Sequence, residues 1–179
     1  VLIWHMLNLR EGDRYQYVFF NDGDRKMASA KRVGTTGGIY TCKGAYADID
    51  SILATMHTAI ERGLGGGEPP ENDLEAVLTG IRLNKDVQEI ILIADSYSRV
   101  RDMALLEQLS LPVRIILCGA EETNKYYNGL PTAINEEYLT IAHRSKGSVH
   151  TLKEDIIDLS HLKEGETVKI SGKHYLLKN

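Results

Sequence analysis

The sequence predicts an α/β domain, a mostly parallel sheet with helices on both of its faces. Three observations lead there. Two continuous apolar runs, "EIILIAD" and "PVRIILCG", read as strands covered on both sides. Apolar stripes at helical spacing alternate with the strand-like segments, which implies right-handed crossovers between parallel strands. The chain has 179 residues, 42% of them hydrophobic, and no internal repeat, so one domain with its own core accounts for it. That domain is expected over residues 1–163, with residues 164–179 as a C-terminal β-hairpin extension.

Taken in order, "VLIWHMLNL" at the start reads as the end of a helix. "RYQYVFF" is rich in aromatic and β-branched residues and halts at "NDGD", a turn signal, so it is a buried strand. A basic polar loop, "DRKMASAKRVG", leads to "GIYT", a small edge strand. From Ala47 the period changes: Ile49, Ile52, Leu53, Met56 and Ile60 recur at helical spacing, and Gly63 closes the run. Leu74, Val77, Leu78 and Ile81 form the stripe of a second helix. Between the two apolar strands, Val100, Met103, Leu106 and Leu109 mark another. A helix around "NEEYLTIAHRS" precedes "SVHTL", the last core strand. Residues 154 to 162 read as helical, and "TVKI", "SGKH" and "YLL" as the terminal hairpin.

Charge and composition remove several function classes. A net charge of −4 gives no long-range attraction for nucleic acid or an anionic membrane, so neither is an expected partner. No apolar stretch is long enough to span a bilayer, and the basic start and cleavage site of a signal peptide are missing. Cys42 and Cys118 are too few for a disulfide framework. Cys118, within "VRIILC", reads as a buried reduced thiol, which points to a reducing, cytoplasmic location. The chain begins at Val1 rather than methionine, so it is expected to belong to a longer protein.

In open α/β sheets the ligand crevice lies at the carboxyl ends of the strands. Acids collect at positions that topology would bring to that rim: Asp22 and Asp24 after the first strand, Glu68 and Glu71 on the loop entering a helix, and Asp95 ending "EIILIAD". Carboxylate and hydroxyl oxygens suit Mg²⁺ or Mn²⁺, and no paired Cys/His spacing suggests zinc. The glycines of "GLGGGEPP" do not make a phosphate cradle, because the Gly-Lys-Ser/Thr ending is absent and no strand precedes them. Glu71 and Asp73 have a second reading, as acids complementing a helix N-terminus with Pro70 at an early helical position. The histidines, His5, His57, His143, His150, His161 and His174, show no HExxH pairing and read as ordinary surface or core residues. Ser96 and Ser98 have no base nearby in sequence and no G-x-S-x-G elbow.

The order of "YVFFNDGD", "GGGEPPENDLEAVLTGI", "EIILIADSYSRVRD", "VRIILCG" and "YLTIAHRSKGSVHTL", over residues 10 to 155, resembles a von Willebrand factor type A (vWA) domain. The resemblance implies a three-layer Rossmann-like fold: a mostly parallel central sheet, one short antiparallel edge strand, and helices on both faces. It also implies a metal-ion-dependent adhesion site holding Mg²⁺ or Mn²⁺, with Asp95 and Glu68 as ligands and Asp22, Glu71 and Ser96 supporting the ion or touching a partner. The family's Asp-x-Ser-x-Ser turn is not in this sequence and is expected upstream of Val1. Without it, Glu68 and Asp95 alone would hold a cation weakly. The implied function is non-catalytic, metal-dependent binding of a protein partner whose acidic residue completes the ion's coordination. Two other readings stay open: a Mg²⁺-dependent phosphoryl-transfer enzyme using Asp95 with Arg99 and Arg101, and a structural domain with no ligand.

Overall fold

Tyr15, Tyr17 and Phe19 alternate along β1 (Arg14–Phe20), and the two-residue period of a strand puts their rings on one face. β1 pairs antiparallel with β2 (Ile39–Ala45) over its whole length, from Arg14↔Ala45 to Phe20↔Ile39. Cys42 stands opposite Tyr17, and Tyr15, Cys42 and Ile52 close a core against which Leu9 and Phe19 pack. Ile52 comes from α2 (Ile49–Gly63). From α1 (Leu2–Asn8) comes His5, 1% exposed, whose ring meets Tyr15 edge-on and whose Nδ1 lies 3.0 Å from the Tyr17 hydroxyl. α3 (Asp73–Leu83) lies over the other face, where a Cβ on Gly80 would sit 3.4 Å from the side chain of Val18. The structure is a computed structural model and describes residues 2–21, 37–45, 48–63, 70–120, 133–157 and 159–177. It divides into two compact units, Val1–Asp86 and Val87–Asn179.

The second unit is built on a four-stranded sheet in the order β3-β4-β5-β6. β3 (Ile90–Asp95) and β4 (Val113–Cys118) run parallel from Ile90↔Val113 to Asp95↔Cys118. β5 (Ser148–His150) adds parallel to β4, and β6 (Asp155–Ile156) closes antiparallel on β5. α4 (Glu136–Ser145) packs on β4 and β5. Tyr138, Leu139 and Ile141 of the helix and Val113, Ile115 and Val149 of the strands are all fully buried. Each such apolar side chain contributes about 1.5–3 kcal/mol by leaving water.

Two residues return the chain from α4 to the sheet. Lys146 caps the helix in the left-handed region at φ 59°. Gly147 then passes so close to β4 that a Cβ would run into the backbone of Val113. The terminal hairpin joins β7 (Thr167–Ile170) to β8 (Lys173–Leu176) through Ser171 and Gly172, both with positive φ, as a type I′ turn requires. Both the N–H and the hydroxyl of Ser171 donate to Glu154, at 3.0 and 2.9 Å.

The three-layer, mostly parallel Rossmann-like arrangement expected from the vWA resemblance is overturned. In its place stand a mixed four-stranded sheet and two small antiparallel sheets. One difference lies in β1, which pairs with β2 in a two-stranded sheet of its own and is not a member of the β3-β4-β5-β6 sheet. Another lies in β4, where Val113, Ile115 and Leu117 are buried while Arg114 and Cys118 are exposed. A charged side chain in mid-strand keeps that face in contact with water, because taking a charge out of water is costly. Cys118 is therefore exposed, contrary to the buried thiol its apolar neighbours suggested.

Two smaller readings change as well. The stripe from Val100 to Leu109 condenses to a short 3₁₀ helix, Met103–Gln108. The described residues between 154 and 162 form β6 and turns instead of a helix, since the Thr151 hydroxyl accepts the N–H groups of Lys153 and Glu154, at 3.1 and 3.0 Å, and reverses the chain onto β5. Among the described residues no helix is long and apolar enough to cross a membrane.

Candidate functional site

Asp95 ends β3 and turns the chain by its own side chain. Its Oδ1 accepts the N–H groups of Tyr97 and Ser98 at 2.7 and 3.0 Å, an Asx-type reversal. Ser96 continues the pairing with β4, donating its N–H to the Cys118 carbonyl at 2.9 Å. Its hydroxyl, 8% exposed with its residue, donates to the carbonyl of Ala133 (3.2 Å) and accepts the N–H of Asn135 (3.1 Å). Asn135 is the N-cap of α4: its Oδ1 accepts the N–H of Glu137 at 2.9 Å, and its Nδ2 donates to the Ser98 carbonyl at 2.7 Å. Glu137 accepts the N–H of Val100 at 2.7 Å and meets the Arg99 guanidinium at 3.4 Å.

These bonds tie the loop after β3 to the first turn of α4. Tyr97 is left 46% exposed above Gly119, where φ is +71° and a Cβ would come 2.6 Å from its ring. An exposed aromatic on a pre-ordered loop loses little conformational freedom when it binds. The rim therefore offers the Tyr97 ring, the carboxylates of Asp95 and Glu137 and the Arg99 guanidinium on a loop tied to α4.

The residues expected to ligate a cation are only partly gathered here. Asp95 and Ser96 stand side by side, but the Ser96 hydroxyl is spent on Ala133 and Asn135, and Asp95 commits Oδ1 to its own loop. Glu71 belongs to the first unit, half-buried just before Asn72, the residue preceding α3. Asp22 and Glu68 lie outside the described residues. Pro70 precedes α3 rather than occupying its first turn, and Asp73 in that turn is fully buried. Among the described residues no group of three or more His, Cys, Asp or Glu side chains could hold a metal. What they supply to a hard cation is the remaining oxygen of Asp95, which by itself does not fit Mg²⁺. The Arg99 guanidinium, 79% exposed, lies 3.4 Å from Glu137.

A second constellation was not legible as chemistry in the sequence. On β5, Ser148 Oγ lies 2.8 Å from His150 Nε2, and His150 Nδ1 lies 2.8 Å from Asp155 Oδ1 on β6. The Ser-x-His spacing was visible and places both side chains on one face of a strand. Asp155 was hidden by the helical reading of residues 154 to 162. Beside Ser148 a cleft of about 290 Å³ opens between the amino ends of β3 and β4 and the turn after α4, lined in part by Ile90, Pro112, Arg114, Lys146 and Ile157.

Comparison with protein-family models, with curated proteins and with solved structures found no match to this chain.

Proposed function

We propose that this chain is a protein-recognition module whose contact surface is the rim at the carboxyl ends of β3 and β4. The observation that supports it is the loop from Asp95 to Val100, held to α4 through Asn135 and Glu137 while Tyr97 remains exposed on top. Rigid aromatic side chains beside satisfied polar groups are what an interface centre needs, because the ordering cost is met before the partner arrives. The partner expected is a protein segment bearing an acidic residue, drawn to Arg99 at the edge of the rim, whose side chain is 79% exposed.

Dependence on Mg²⁺ or Mn²⁺ is the narrower form of the proposal, in which Asp95 would supply one of the oxygens that hold the ion. Its support is the sequence resemblance together with the second oxygen of Asp95, since the loop's bonds to Tyr97 and Ser98 use Oδ1. The two forms are separable by one titration. The chain is mixed with a short Glu-rich peptide in Mg²⁺, then in EDTA, and amide NMR shifts are followed along the loop. The Tyr97 and Ser98 amides are expected to move, and Asp95→Asn is expected to abolish the movement. Shifts that survive EDTA remove the cation and keep the rim. No shift between Asp95 and Val100 under any condition rejects the recognition reading.

A further inference from the structure

We infer that Ser148, His150 and Asp155 form a nucleophilic relay that hydrolyses small carboxylic esters bound in the cleft beside Ser148. The relay follows from sheet geometry. Side chains two apart on a strand share a face, so Ser148 and His150 point the same way along β5. Asp155 is the register partner of His150 on β6, and directly opposed residues have neighbouring side chains. The result is a chain of two contacts, Oγ to Nε2 and Nδ1 to Oδ1, each 2.8 Å.

The roles follow from which atoms can donate. A carboxylate only accepts, so Nδ1 carries the proton and its N–H donates a hydrogen bond to Asp155. Nε2 is then the unprotonated nitrogen, and the Ser148 hydroxyl donates to it. That tautomer is the one a general base requires. The imidazole is partly shielded, its side chain 21% exposed against 65% for Asp155. Asp155 is accordingly a positioning residue on the solvent side.

Ser148 also lines the cleft, whose volume of about 290 Å³ is at the small end of ligand pockets. Ile90, Pro112 and Ile157 give it apolar wall for a short acyl chain. Arg114, the register partner of Ser148 on β4, lines the same cleft; its guanidinium lies 3.0 Å from Glu89 and is half exposed. Positive charge next to a reacting carbonyl stabilises the oxyanion as it develops.

The reaction needs only ester and water. His150 Nε2 takes the Ser148 proton as Oγ bonds to the carbonyl carbon and the C=O electron pair moves onto oxygen. Collapse of that oxyanion breaks the bond to the alcohol, which leaves with the proton from Nε2. Water then attacks the acyl group, giving a proton to Nε2. The acid departs as Oγ recovers that proton, and the products are one acid and one alcohol.

The test treats the full chain with a fluorophosphonate probe, maps the labelled peptide by mass spectrometry, and measures turnover of p-nitrophenyl butyrate. Label is expected on Ser148 of the wild-type chain, a result that requires no variant to fold. Ser148→Ala should remove both label and turnover. His150→Gln should lower kcat by about a hundredfold or more. Asp155→Asn, on the exposed edge, should lower kcat by at least about tenfold with KM unchanged, a split that a loss of cleft shape would not produce. An unlabelled wild-type chain, label on another residue, or turnover that persists in Ser148→Ala overturns the inference.

Discussion

Tyr17 is where burial at a single residue becomes a property that can be titrated. Burial, then Tyr15 and Cys42, push its phenol up to about 12 from the usual value near 10. Burial first, followed by Asp48 and Cys42, raises Tyr15 too. A phenol that holds its proton more tightly when folded contributes its full stability below the unfolded pKa and loses it as pH climbs to the folded value. The window therefore runs from about pH 10 to about pH 12. Urea midpoints across that window should fall with pH in the wild-type chain and fall less in Tyr17→Phe; parallel slopes would show that Tyr17 is not responsible. The alternating rings of "RYQYVFF" were enough to read a strand, but the shift comes first from burial, which segments far apart in the chain create together, and so was not in the sequence. The same holds for Asp95. Its place at a strand end was legible, whereas the use of Oδ1 by its own loop was not.

Among the elements, the terminal hairpin is the one whose purpose the sequence left open. Tyr175 of β8 is buried, and its hydroxyl accepts the N–H of Ile134 at 3.2 Å. Ile134 adjoins both Ala133 and Asn135, the two residues that hold Ser96, so the hairpin braces the rim from behind. Tyr175→Phe leaves a buried N–H without its acceptor and should cost about 1–3 kcal/mol in urea denaturation. It should also loosen the Ser96 to Val100 amides in hydrogen exchange. Equal stability, or protection unchanged in that loop, would separate the hairpin from the rim. β7 and β8 themselves were readable because Ser171 and Gly172 interrupt two short β-prone runs. β6 was not, because a two-residue strand has too few positions to display a period.

For the molecule as a whole, exposure separates the two thiols. Cys42 is buried in the core of the first unit and Cys118 is exposed at the end of β4. A native chain treated with a thiol reagent should give one fast and one slow equivalent, the fast one absent in Cys118→Ser. Two fast equivalents would contradict the closure of the first core. Apolar content and period are properties of neighbouring residues, so the sequence by itself determined where β1, β3, β4, α2, α3 and α4 lie and that Asp95 ends a strand. Pairing and register are set by residues far apart in the chain, so only the tertiary structure decided that β1 turns to β2, that one face of β4 stays open around Arg114, and that Asp155 stands beside His150. Those contacts arise when two separated segments meet, and no local pattern records the meeting.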